Sequence, residues 1–255
     1  MNQVPVTNYR FDDLHYITEF ITPTSHDIED VLLALGNVAG DELVEKVAAY
    51  IRDNFTYPLD SAGNPSCDGQ FVRYRKNLFP PNYQYKSCKF YIWAFPSEVI
   101  QSKMGYCAET GNLAESLLVS KLDAWATLGD VLDLNDMLLG RHEWVEVPYE
   151  GESHVLETTI HSPSGANLAK TSSVYDKNSD WAKQARLYYA PQGWFNNREY
   201  KGDNVVATTM NLPAKRLYLY KDIEKVRQIK ARRLAKELRQ EHKILEHLLK
   251  QAWGG

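Results

Sequence analysis

Residues 141–149, RHEWVEVPY, alternate along their length. The turn formers Glu150-Gly151-Glu152-Ser153 then separate them from a second β-prone run, HVLETTI, at 154–160. This pattern constrains the fold more than any other in the chain. Strict alternation marks a strand with one face set against a core, and a short glycine-containing turn between two such runs predicts an antiparallel hairpin. The pleat puts His142, Trp144, Glu146 and Pro148 on one face and Glu143, Val145 and Val147 on the other.

Helical signals precede the hairpin. Residues 27–36 read as a short helix with Asp27 near its cap and Gly36 as its stop. Residues 41–56 read as an amphipathic helix, with Leu43, Val47, Tyr50, Ile51 and Phe55 at spacings of three and four. Residues 96–103 suit one or two helical turns. A further helix opens at Cys107 and runs to about Leu122, with Leu113, Leu117 and Leu118 on one side and Ala114 beside Leu113. Residues 123–133 suit a strand. Residues 1–26 look irregular, and 181–200, WAKQARLYYAPQGWFNNREY, has no clear period. The long stretch 58–92, with RYRK at 73–76 and FPPNY at 79–83, reads as a surface insertion or a working loop.

Cys107 is the residue of most chemical interest. A cysteine on the first turn of a helix sits among outward-pointing N–H groups that favour a thiolate. It needs a base in reach and a third group to hold that base. His142 has its face fixed by the strand, and the hairpin brings Glu157 on the next run toward it. His154 and His161 are rival bases, and Asp130 or Asp133 are rival carboxylates. The order Cys107, His142, Glu157 makes a workable triad, with the Cys107 N–H as a donor to an oxyanion.

These pieces resemble the transglutaminase-like superfamily, which shares a papain-type core. Its members show a helix ending in an aromatic residue, then G-x-C opening a helix, H-x-W-x-E-V on a strand, and a carboxylate followed by Thr closing the next strand. Here those read AAYIRDNFTY (48–57), GYC (105–107), HEWVEV (142–147) and LETT (156–159), so the match spans about residues 41–160. The run WAFPSEVIQSKMGYC (93–107) further resembles bacterial transglutaminase-like cysteine peptidases. The resemblance implies Cys107 as nucleophile, His142 as base and acid, Glu157 as its orienting group, and Gln101, upstream of the cysteine as in papain-type enzymes, as a second oxyanion donor. Two positions depart from the pattern. Glu157 stands where Asp is usual and is one methylene longer, so its strand must sit slightly further back. Tyr106 stands where the bacterial peptidases often carry Asp, so the calcium dependence seen among them is not carried over. The implied fold is α+β: a papain-like core of N-terminal helices packed on an antiparallel sheet, at 27–215.

Composition narrows the partners. A 255-residue chain that is 44% hydrophobic supports a sizeable core. A net charge of −4 argues against a nucleic-acid or membrane role for the body. Sixteen tyrosines and six tryptophans exceed what a core needs, which suggests an aromatic cleft. Tyr106, Trp93, Trp144, Trp181 and Trp194 are its candidate substrate contacts, although Trp144 suits packing behind His142 better. Cys67, Cys88 and Cys107 lack C-x-x-C spacing and are odd in number, which disfavours a disulfide framework or a cysteine-rich zinc site. No metal or cofactor is expected. The N-terminus lacks an apolar h-region, and no run approaches a membrane span, so a cytoplasmic location is expected.

Residues 222–253 are charged, net positive and free of Gly and Pro, and read as one helix of about 50 Å at 1.5 Å per residue. Ala231, Leu234, Leu238, Leu245, Leu248 and Ala252 form a seam that Glu241 interrupts. That seam suits packing along its own domain, self-association or a docked partner. The expected function is a cysteine peptidase or amidase acting on a peptide or isopeptide bond, with a cell-wall peptide or protein tail among its substrates. The alternatives are a crosslinking transglutaminase with the same triad, and a non-catalytic assembly module that works through the tail.

Overall fold

The structure is a computed structural model that describes residues 5–8, 13–57, 92–160 and 167–202. The charged tail at 222–253, the RYRK and FPPNY motifs, Cys67, Cys88 and His161 lie outside the described residues.

The described residues form an α+β fold. Strand β1 (Pro5–Asn8) pairs antiparallel with β2 (Asp13–Tyr16) and parallel with β3 (Ile92–Trp93), so the expected irregular N-terminus is partly sheet. Helix α1 spans His26–Ala34 and α2 spans Gly40–Asn54. The α2 stripe Leu43, Val44, Val47, Ala48 and Ile51 is buried, as its spacing predicts. Short α3 (Pro96–Ser102) begins on a proline, which suits the first helical position, and ends at Lys103 in the left-handed region. Helix α4 (Cys107–Leu118) is buried almost all round, including Glu109, Asn112, Glu115 and Ser116. It is closed in by α2, α3 and the main sheet, which an apolar stripe alone does not foretell.

That sheet is antiparallel and six-stranded, in the order β7-β6-β5-β4-β8-β9. Its strands are β4 (Trp125–Asp133), β5 (Leu138–Tyr149), β6 (Glu152–Leu156), β7 (Leu168–Lys170), β8 (Leu187–Phe195) and β9 (Tyr200–Gly202). Two short helices, α5 (Thr171–Tyr175) and α6 (Asp180–Ala185), precede β8, and Ser179 caps the second. β5 and β6 form the expected hairpin. Its two-residue turn, Glu150-Gly151, has φ of 50° and 76°, the primed geometry that matches strand twist. Val145 and Val147 join the core under α4 and α2, while Trp144 joins Val131, Val155, Val174 and Tyr189 on the opposite face.

Gly129 on β4 shapes that second face. A Cβ there would lie 2.3 Å from the Ala190 carbonyl and 2.6 Å from the Trp144 ring. Without one, Trp144 and Tyr189 meet across β4 at 4.8 Å. Gly129→Ala is therefore expected to destabilise the fold by about 2–3 kcal/mol through overpacking against backbone. A urea midpoint equal to wild type would contradict this.

Candidate active site

Cys107 is the first residue of α4 and is half-buried, a free thiol. The turn that presents it is anchored on both sides. The Glu109 carboxylate accepts from the Tyr106 N–H at 2.9 Å and the Ala94 N–H at 3.1 Å, tying the helix start to the segment after β3. On the other side, Thr56 bridges to Met104, which sets Tyr57 edge-on to Tyr106 at 5.2 Å. The Cys107 N–H is among the first-turn donors that an α-helix leaves without an internal partner.

His142 and Glu157 are buried, 5% and 4% exposed. The hairpin register explains how they meet. The ladder runs from Tyr149 opposite Glu152 to Val145 opposite Leu156. Extending it one pair sets Glu157 opposite Trp144, on the face His142 uses. β6 in fact stops at Leu156, and Glu157 turns inward with its N–H on the Asn167 carbonyl. The Glu157 side chain reaches His142 from the residue that follows β6.

His142 Nε2 lies 3.0 and 2.8 Å from Oε1 and Oε2 of Glu157. With Nε2 engaged, Nδ1 is the ring nitrogen left for Cys107, which acts on His142 as a second partner. Burial pushes His142 down. The charges of Glu157 and Cys107 and the hydrogen bonds to both outweigh it and lift His142 to about 10. Burial pushes Glu157 up, but the imidazolium, the Ile160 N–H and the Tyr189 hydroxyl hold it below its ordinary value. The arrangement is an imidazole held between a thiol and a carboxylate, with the thiol nearer solvent.

Four residues to which sequence reasoning gave no role support it. Thr110 donates to the Thr158 hydroxyl at 2.9 Å, joining the first turn of α4 to the residue after Glu157. The Thr158 in LETT was the available signal. Tyr57 is the aromatic that closes AAYIRDNFTY. Its phenol is pushed up by burial and by the charges of Cys107, Glu109 and Glu157, so it stays a proton donor beside the site. Tyr189 donates to Glu157 at 2.6 Å and comes from β8, in a stretch without a readable period.

The other named residues fall elsewhere. Trp93 packs on Phe20 and Phe195, and Trp144 is fully buried beside His142, so neither offers surface to a substrate. Trp194 is half-buried and donates to Glu146 at 2.8 Å, while Trp181 packs on Tyr189. Tyr106 stays half-buried beside Cys107. Gln101 is exposed on the last turn of α3. His154 packs on Tyr149 near the hairpin turn, Asp130 holds Gln192, and Asp133 caps the turn before β5.

Glu143 and Glu115 are buried carboxyls on the α4 side of the sheet, and Glu143 fills the space that a side chain on Gly111 would need. Burial pushes both up; the charges of Cys107, Glu115 and Glu109 add to Glu143, and that of Asp123 adds to Glu115.

These shifts set a pH dependence of stability. His142 keeps its proton to about pH 10 when folded and to about 6.5 when unfolded, so its contribution is complete below 6.5 and lost as pH rises through about 10. Glu157 works in the opposite direction. Its contribution is present above its unfolded value of 4.5 and lost as pH falls through its lowered folded one. Glu143 and Glu115 hold protons when folded that they shed above 4.5 when unfolded, so they add to the alkaline loss. Urea midpoints are expected to fall from pH 6.5 toward 10, and less steeply in His142→Ala. Equal slopes would contradict the assignment.

No family model matches the chain, and no curated protein matches it. Among solved structures it is similar to Legionella pneumophila LapG, at 17% identity over 81% of this chain and 99% of that one, with a TM-score of 0.39. The EGTA-treated form aligns at 17% identity over 78% and 87% (TM-score 0.38), and the calcium-bound form at 16% over 69% and 87% (TM-score 0.37). Likeness at this level defines no family for the chain. Among the described residues, no helix is long and apolar enough to cross a membrane.

Proposed function

We propose that the chain is a cysteine hydrolase of the transglutaminase-like kind, cleaving a peptide or isopeptide bond through Cys107, His142 and Glu157. The observation that carries this reading is the placement of His142, with Nε2 on a buried carboxylate and Cys107 close enough to raise its pKa. A raised His142 favours imidazolium at neutral pH, which suits a thiolate partner.

The thiolate sulfur forms a bond to the amide carbon, and the C=O π pair moves onto oxygen. The Cys107 N–H at the helix start donates to that oxygen. As the oxygen pair returns, the C–N bond breaks and the leaving nitrogen takes its proton from His142. A thioester on Cys107 remains. Water then attacks it, His142 accepts the water's proton, and the acid leaves as the thiolate is regenerated. Glu157 stays ionised throughout and holds Nε2 in place.

The test is cleavage of a proteome-derived peptide pool by the wild type and by Cys107→Ala, with new termini read by mass spectrometry. New termini that depend on Cys107 support hydrolysis. Addition of a primary amine probe separates the transferase reading, since that would place the amine on the acyl product. A pool without Cys107-dependent change would overturn both.

A further inference from the structure

We propose that Tyr189 is a positioning residue of this site: its hydroxyl fixes Oε2 of Glu157 and, through that oxygen, the imidazole of His142. The inference rests on the reading of Cys107, His142 and Glu157 as a hydrolytic triad and extends it by one residue.

The two oxygens of Glu157 are held in different ways. Oε1 accepts the Thr159 N–H at 2.8 Å, the Ile160 N–H at 2.9 Å and the Thr159 hydroxyl at 3.3 Å, and His142 Nε2 lies 3.0 Å from it. The Thr159 and Ile160 donors come from the loop that carries Glu157, so apart from His142 itself Oε1 is fixed to its own backbone and not to the rest of the fold. Oε2 receives His142 Nε2 at 2.8 Å and the Tyr189 hydroxyl at 2.6 Å. Tyr189 arrives from β8, which lies two strands from β5 in the sheet, and so anchors the carboxylate to a separate part of the core. Donors on both oxygens set the plane of the carboxylate, and that plane decides where Nε2 and the ring must point.

The tyrosine is itself held. It is 1% exposed and packs against Trp144 and Trp181. Its ring lies 6.0 Å from His142 at 26°, excluding water from that side of the histidine–carboxylate bond. The charged partners that act on its phenol are Glu157 and Cys107, with His142 alongside. Of the charges on its neighbouring elements, Asp130 is engaged by Gln192, Asp133 caps its own turn, and Asp180 and Lys183 are exposed. Burial first, then the charge of Glu157, pushes the phenol up, so it remains a donor across the working range.

The test uses iodoacetamide alkylation of Cys107 in the full chain, followed by mass spectrometry against pH, with thermal unfolding of the same samples. Tyr189→Phe removes one hydroxyl and keeps the ring. It is expected to slow alkylation about tenfold, the worth of one hydrogen bond to a charged acceptor. The acid limb is expected to move to higher pH, because Glu157, one donor poorer, takes its proton sooner. In a Glu157→Gln background the same substitution is expected to change the rate little, since the coupled partner is gone. An unchanged rate and acid limb in Tyr189→Phe would overturn the inference. So would an equal effect in both backgrounds, which marks packing alone. If wild-type Cys107 reacts no faster than Cys107 in His142→Ala, the triad reading falls and takes this inference with it. If that difference is present and Tyr189→Phe is silent, only the inference falls.

Discussion

Glu157→Ala is expected to cost about 3–5 kcal/mol of folding stability, the penalty for removing one partner of a buried ion pair. The substitution strands more than a charge. It leaves the Thr159 and Ile160 N–H groups, the Tyr189 hydroxyl and the imidazole of His142 without the acceptor that now serves all four. Each unpaired buried donor carries its own desolvation cost. Glu157→Gln keeps an amide oxygen for the two backbone donors, so its loss is expected to be about 1–3 kcal/mol. Urea unfolding at pH 6 reads both. A Glu157→Ala midpoint equal to wild type would mean that the carboxylate is not the hub of this network.

His142→Ala is expected to lower kcat for the Cys107-dependent cleavage by about 10²–10⁴-fold, the usual worth of a positioned general base and acid. KM is expected to move little. The imidazole is buried between Cys107 and Glu157 and has little surface with which to bind substrate in the ground state. Steady-state kinetics on a peptide found in the pool experiment separates the two parameters. A large rise in KM with kcat preserved would make His142 a binding residue.

The parts of this site that lie on local patterns were legible in the sequence. The period of two in RHEWVEVPY fixed the face of His142, and turn formers at 150–153 pointed to the hairpin; the two-residue turn at Glu150-Gly151, which sets the register, is seen only in the structure. The helix opening at Cys107 could be read from Leu113, Leu117 and Leu118 beyond it. What was not legible depends on pairings far apart in sequence. β1 joins β3 across more than eighty residues, so nothing local in the N-terminus announces it. β8 carries Pro191 and Gly193 and shifts register against β4 between Leu128 and Gly129, which breaks the alternation that would have exposed Tyr189. Trp93 misled for a related reason. It has the composition of a cleft wall, but the sheet and its covering segments close over it, whereas Trp144 lies behind His142, the packing place its strand context favours. α4 likewise carries acids and an asparagine at positions that look solvent-facing, and the surrounding helices bury them.

The central claim is that Cys107 and His142 form an activated pair. The most direct measurement is the pH dependence of iodoacetamide labelling at each cysteine, read by mass spectrometry, for the wild type and His142→Ala. Cys67 and Cys88 in the same chain serve as references. The account predicts that Cys107 labels faster than both below pH 8 and that His142→Ala removes the advantage. Labelling of Cys107 at the same rate in both proteins, across the whole pH range, would contradict it.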